Sequence, residues 1–129
     1  MKGSEFVAVV DDDESVRDSL PDLLRSFGFD AHAYPSADAF LHSEGLVRTR
    51  CLVLDVAMPV MSGPELYREL RRQGRAIPVV FMTAHSSPDF NLKALRREAV
   101  ACLSKPFSEG AIVGAVRAAI GEVENSPCT

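Results

Sequence analysis

Short apolar runs alternate with amphipathic stretches along the chain, and this alternation most constrains the fold. Runs rich in Val, Ile and Leu cover residues 7–10, 51–54 and 77–82, and weaker apolar runs cover residues 31–34 and 101–103. Near-continuous apolar runs of this length are typical of strands buried on both faces of a parallel sheet. The pattern therefore predicts five buried strands.

The stretches between the runs carry apolar residues at helical spacing. The first helix is predicted to end at Gly28, the second to begin at Ser36 and the third to span residues 63–73. Leu92 and Leu95 mark a fourth helix, and apolar positions from 112 to 120 mark the last. Strand–helix alternation repeated five times indicates an α/β fold with a single five-stranded parallel sheet. We expect strand order 2-1-3-4-5, the flavodoxin-like doubly wound (βα)5 arrangement.

Composition restricts the classes of function. A length of 129 residues suits one domain, which we expect to span residues 6–123. Residues 1–5 are expected to be a cloning remnant or a flexible start, and residues 124–129 a flexible tail. A net charge of −4 argues against direct contact with nucleic acid or an anionic membrane. The chain has no membrane-length apolar run, we expect no secretory leader, and its three cysteines argue against a disulfide framework. These features predict a cytoplasmic protein.

Chemically distinctive residues follow the predicted strands at their carboxyl ends. They are Asp11, Asp12, Asp55, Thr83 and Lys105. Because the carboxyl ends of parallel strands meet at one edge of the sheet, where such folds bind ligands, we expect these side chains to converge. Each residue taken alone has an ordinary structural interpretation, as a turn or surface residue. Their coincidence at one edge indicates a functional site.

The residue types at this edge suggest phosphoryl chemistry. Carboxylates without histidine or thiolate partners suit a hard cation such as Mg²⁺. A lysine and a hydroxyl are groups that stabilise a phosphoryl anion, and an aspartate can act as the nucleophile. The next acids, Asp13 and Glu14, are assigned instead to the amino terminus of the first helix, where negative charge is favourable. The inferred chemistry is phosphoryl transfer onto an aspartate.

Four sequence blocks resemble the receiver domains of two-component response regulators. The blocks are V-V-D-D at 9–12, L-D-V-A-M-P-V-M-S-G at 54–63, M-T-A at 82–84 and K-P-F at 105–107. Their order and spacing also match, from residue 7 to about residue 121. The stretch P-S-A-D-A-F-L at 35–41 further resembles receivers whose output domain is a LuxR-type DNA-binding helix-turn-helix.

The resemblance implies a role for each site residue. Asp55 would be the phosphoacceptor and Lys105, joined to Pro106 by a cis peptide, would pair with a phosphoryl oxygen. Thr83 would hydrogen-bond the phosphoryl group when the domain switches. Mg²⁺ would be held by Asp12 directly, by Asp11 through water, by Asp55 and by the backbone carbonyl of Ala57.

The resemblance also implies partners. The donor would be a sensor histidine kinase, and the signal would pass to a partner or to a DNA-binding output domain that lies outside this chain. Such a domain assists its own phosphorylation and dephosphorylation without being a dedicated enzyme. A phosphorylation-dependent homodimer is a further expectation.

Two positions depart from the family pattern. Cys102 stands where the family usually has Tyr or Phe on the fifth strand, and Glu98 stands where it usually has Gly. The aromatic residue normally couples the site to the surface, so the readout of phosphorylation is expected to differ here. Two alternatives stay open: a Mg²⁺-dependent phosphatase or phosphotransferase acting on small molecules, and an interaction domain that works without phosphorylation.

Overall fold

A single parallel sheet organises the described part of the molecule. The computed structural model describes residues 5–84 and 99–125, with side chains in the last helix described as far as residue 121. Within these residues the strands are β1 (Phe6–Val10), β2 (Asp30–Tyr34), β3 (Cys51–Asp55), β4 (Val79–Thr83) and β5 (Ala101–Ser104). All neighbouring pairs are parallel, and the strand order is β2-β1-β3-β4-β5. The predicted fold class and strand order are confirmed.

Helices cover both faces of this sheet. They are α1 (Glu14–Ser26), α2 (Ala37–Leu41), α3 (Gly63–Arg72) and α4 (Glu109–Asn125), and a short 3₁₀ helix spans Glu44–Arg48. The predicted fourth helix around Leu92 and Leu95 lies outside the described residues. None of the described helices is both long and apolar enough to cross a membrane.

The three central strands, β1, β3 and β4, are buried on both sides because their side chains alternate between two apolar layers. The edge strands β2 and β5 are only partly buried, because each has a neighbouring strand on one side only, so the prediction of full burial is wrong for these two. One layer packs Leu20 and Leu24 of α1 and Ile112 of α4 against alternate strand residues such as Val9 and Val53. The other layer packs residues of α2 and α3 against the intervening positions, among them Val10, Leu54 and Phe81. This packing fixes the position of the sheet, so the loops that follow the strands begin at fixed positions along its carboxyl edge.

Polar residues define the helix ends. Ser36 caps α2 by accepting a hydrogen bond from the Ala39 N–H at 3.0 Å, as the sequence predicts. Ser62 and Glu65 form a reciprocal capping box at the start of α3. Gly28, after α1, has a φ of +98°, a left-handed conformation that glycine adopts at little cost.

The fourth strand differs from its prediction. The apolar run predicts a strand over residues 77–82, whereas β4 begins at Val79 and extends to Thr83. Pro78 has no N–H to donate to a strand ladder, so regular pairing begins after it. The shift places Thr83 at the end of the strand itself. The expected domain limits at residues 6–123 stay a prediction.

Candidate functional site

Strand register brings the predicted site residues to one edge of the sheet. Val10 of β1 pairs with Leu54 of β3, so the residues that follow, Asp11 and Asp55, lie side by side. Asp55 in turn pairs with Met82, next to Thr83. Thr83 pairs with Ser104 of β5, the residue before Lys105. Parallel pairing thus collects residues that are far apart in sequence.

The three carboxylates form one cluster. One oxygen from each of Asp11, Asp12 and Asp55 lies within 4.8 Å of the others. Asp11 is completely buried and Asp55 is 6% exposed, whereas Asp12 faces solvent. The cluster is thus anchored in the protein and open on one side.

Lys105 bridges the two buried acids. Its Nζ lies 2.9 Å from Oδ2 of Asp11 and 3.2 Å from Oδ1 of Asp55. The peptide bond between Lys105 and Pro106 is cis, as the sequence resemblance implies. This ammonium group directly contacts the proposed phosphoacceptor.

Burial and charge together set the titration of these groups. Burial, reinforced by the charge of Asp11, raises the pKa of Asp55 to about 6 despite the opposing effect of Lys105. Burial alone would lower the pKa of Lys105, but its hydrogen bond to Asp11 and the nearby carboxylate charges outweigh burial and raise that pKa. The cluster therefore contains more negative charge than its own lysine neutralises.

The remaining predicted residues border the cluster. Thr83 is buried and donates its hydroxyl to the backbone carbonyl of Ala84 at 2.9 Å. Ala57 is exposed in the loop after β3. The roles assigned to the Thr83 hydroxyl and to the Ala57 carbonyl stay predictions.

The first helix separates the four consecutive acids into two groups, as predicted. Asp13 is the N-cap of α1, and its carboxylate accepts hydrogen bonds from the N–H and the hydroxyl of Ser15, at 2.9 and 2.8 Å. These bonds lower the pKa of Asp13. Asp11 and Asp12 belong to the carboxylate cluster with Asp55.

Sequence reasoning missed two residues that shape the site. Arg17 donates from Nη1 to the backbone carbonyl of Asp11 at 3.1 Å. Gly63 approaches the backbone of Asp55 so closely that an added Cβ would collide with the carbonyl oxygen of Asp55. The signal for Arg17 was present, since helical side chains point back toward the amino terminus and an arginine in the second turn can reach the preceding loop.

Cys102 packs as a partly buried residue against the apolar layer that contains Phe81, its partner across the β4–β5 pair. Its effect on coupling stays a prediction. Glu98 lies outside the described residues.

A doubly wound parallel sheet with an acidic cluster and a lysine at its carboxyl edge defines a receiver-type signalling domain. Residues 7–117 match the family model described as the response regulator receiver domain. The chain belongs to this family.

Curated relatives support the same assignment. The response regulator protein TmoT of Ectopseudomonas mendocina is 38% identical over 125 residues, covering 94% of this chain and 57% of the relative. The transcriptional regulatory protein FixJ of Azorhizobium caulinodans is 42% identical over 115 residues, covering 89% and 54%. The chain thus spans about half the length of these relatives.

A solved structure agrees in fold. The crystal structure of FixJ-N matches with a TM-score of 0.82 and 37% identity, covering 94% of this chain and 96% of that one. Membership of a family of signalling proteins favours the signalling module over a phosphatase dedicated to small molecules.

Proposed function

We propose that this chain is a Mg²⁺-dependent phosphoacceptor switch in which Asp55 receives the phosphoryl group. The observation that carries the proposal is the contact between Lys105 Nζ and two buried carboxylates, at 2.9 Å to Asp11 and 3.2 Å to Asp55. A buried carboxylate can act as the nucleophile, and the ammonium group beside it is suited to stabilise the charge of the phosphoryl group that it accepts.

The donor set fits Mg²⁺. The cluster offers oxygen ligands from Asp11, Asp12 and Asp55, and burial together with the charge of Asp11 raises the pKa of Asp55. The backbone carbonyl of Ala57 is proposed as a further ligand. When bound, Mg²⁺ would offset both the repulsion among the carboxylates and the charge of the incoming phosphoryl group.

In the proposed transfer, a carboxylate oxygen of Asp55 attacks the phosphorus of a phosphorylated histidine. A new O–P bond forms as the N–P bond breaks, and the imidazole nitrogen keeps the electron pair and takes a proton from water. Lys105 pairs with a phosphoryl oxygen after transfer. Thr83 exchanges its hydrogen bond to the Ala84 carbonyl for one to the phosphoryl group, which is the local step of the switch.

The partners are part of the proposal. A sensor histidine kinase is the donor, and a DNA-binding output domain or a separate partner receives the signal, with transcription as the regulated process. The names of relatives as transcriptional regulatory proteins, and the chain's span of half their length, support this assignment. We also propose a cytoplasmic location and dimerisation on phosphorylation.

The decisive experiment is incubation of the chain with Mg²⁺ and acetyl phosphate, followed by intact mass measurement. We expect one acyl phosphate that is lost in Asp55→Asn. Asp13→Asn is the matched control, because asparagine also caps helices and Asp13 lies outside the cluster. Formation of the adduct in Asp55→Asn would overturn the site assignment. No adduct in the wild-type chain would favour an interaction domain that works without phosphorylation.

A further inference from the structure

Each polar atom of Asp11 is held by a hydrogen bond. Its N–H donates to the Tyr34 carbonyl at 3.2 Å, and its Oδ1 accepts from the Asp13 N–H at 2.9 Å. Its Oδ2 accepts from Lys105 Nζ at 2.9 Å, and its backbone carbonyl accepts from Arg17 Nη1 at 3.1 Å. Two of these partners, Lys105 and Arg17, use a side chain, and the proposed chemistry assigns a role to Lys105 but none to Arg17.

Arg17 connects the first helix to the turn that carries the acids. Its backbone N–H donates to the carbonyl of Asp13, the N-cap of α1, at 3.1 Å. Its side chain runs back past this first turn, partly buried, to the Asp11 carbonyl. The planar guanidinium is suited to holding one fixed geometry. One residue therefore fastens both the helix start and the acidic turn.

Charge alone gives no reason to place Arg17 there. A cation near a site for Mg²⁺ repels the metal, so its direct electrostatic effect on metal affinity is unfavourable. A residue that orients a metal ligand raises the metal affinity, because a ligand already held in position needs no reorganisation when the metal binds. The two effects therefore predict opposite changes in Mg²⁺ affinity when Arg17 is replaced: loss of the positive charge would raise the affinity, and loss of the orienting hydrogen bond would lower it.

We propose that Arg17 is a positioning residue for the acidic site: its hydrogen bond to the Asp11 carbonyl sets the turn that aims Asp11 and Asp12 at the metal site beside Asp55. This inference rests on the proposed function. The role is exerted through the backbone of Asp11 and involves no contact between Arg17 and the phosphoryl group.

The test compares Mg²⁺ binding by wild-type chain and Arg17→Met using isothermal titration calorimetry. Methionine keeps an unbranched apolar stem for packing but has no N–H to donate. We expect Mg²⁺ to bind about tenfold more weakly, at the low end of the effect of losing a partner that orients a metal ligand. Phosphorylation by acetyl phosphate should slow at low Mg²⁺ and recover at saturating Mg²⁺. Arg17→Lys, which retains a donor, should restore most of the affinity.

Arg25→Met is the matched control. Arg25 lies at the other end of α1 and also donates to a backbone carbonyl six residues away, that of Ala31, at 3.0 Å. Both arginines are single positive charges on the same helix. We expect Arg25→Met to lower the melting temperature about as much as Arg17→Met and to leave the Mg²⁺ affinity unchanged.

Several outcomes would overturn the positioning role. Mg²⁺ binding by Arg17→Met that is unchanged or tighter would show that Arg17 acts through charge or stability alone. Equal weakening in Arg25→Met would remove the specificity of the effect. Failure of the proposed function itself is distinguishable, because the wild-type chain would then bind no Mg²⁺ or form no acyl phosphate.

Discussion

The negative charge of Asp55 is disfavoured in the folded chain. It is nearly buried and faces Asp11, and these two effects raise its pKa to about 6, well above the ordinary value of 3.8. Folding therefore favours the protonated carboxyl. The stability that this preference supplies is fully present below the unfolded pKa and is lost as the pH rises through about 6.

Replacing Asp55 by Asn should consequently stabilise the metal-free chain at neutral pH. Asparagine carries no charge, so the variant avoids the cost that the wild type incurs above about pH 6. We expect the gain in free energy of unfolding to reach at most about 3 kcal/mol near pH 7.5 and to shrink toward pH 4.5. Urea unfolding of both proteins across this range, without Mg²⁺, measures the difference. A gain that does not change with pH would contradict the raised pKa of Asp55.

Asp13→Asn is the control, because it should show the opposite trend. The hydrogen bonds from Ser15 lower the pKa of Asp13. The stability from this group is present above its unfolded pKa and is lost as the pH falls through the folded pKa. Any cost of Asp13→Asn should therefore be larger at neutral than at acidic pH.

The third helix begins directly against β3, the strand that ends in Asp55. Gly63 opens α3, donates its N–H to the Val56 carbonyl at 2.9 Å and lies against the backbone of Asp55. The capping box of Ser62 and Glu65 fixes the same end of the helix. The packing of α3 and the position of Asp55 are therefore coupled through glycine.

Gly63→Ala should destabilise the chain by about 2 kcal/mol, because the new Cβ collides with backbone atoms that cannot rotate away. Thermal or urea unfolding gives the change. Gly114→Ala is the matched control: Gly114 is exposed inside α4, and an added Cβ there meets nothing within 4 Å. The Gly114→Ala variant should be more stable than the wild-type chain by about 0.5–1 kcal/mol, the ordinary gain of alanine over glycine in a helix. The same sign for both variants would rule out the close approach at Gly63.

Much of the architecture followed from the sequence because apolar runs report burial directly. The five runs predicted the strands, and the residues at their ends predicted the acidic edge with Lys105. Ser36 and Gly28 predicted helix boundaries through local backbone chemistry. These signals depend on only a few neighbouring residues, so they can be interpreted from the sequence without knowledge of the packing.

Features that depend on distant contacts could not be predicted in this way. The bridge from Lys105 to both acids and the close approach of Gly63 arise only after the sheet has formed. Val60 has a φ of +70° and is fully exposed, although a β-branched residue disfavours this left-handed conformation. The residue type does not predict this left-handed conformation, because valine favours extended backbone.

The acidic cluster forms only when the whole sheet folds. Asp12 follows β1 and Asp55 ends β3, so only the folded chain brings these carboxylates together. Mg²⁺ should therefore bind the folded state and raise the free energy of unfolding, by about 2.7 kcal/mol at one hundred times the Kd. Thermal unfolding with MgCl₂, against NaCl at equal ionic strength, measures this effect. Asp12→Asn, which removes the exposed ligand charge, should lose most of it. An equal effect of the two salts on the wild-type chain would argue against a Mg²⁺ site.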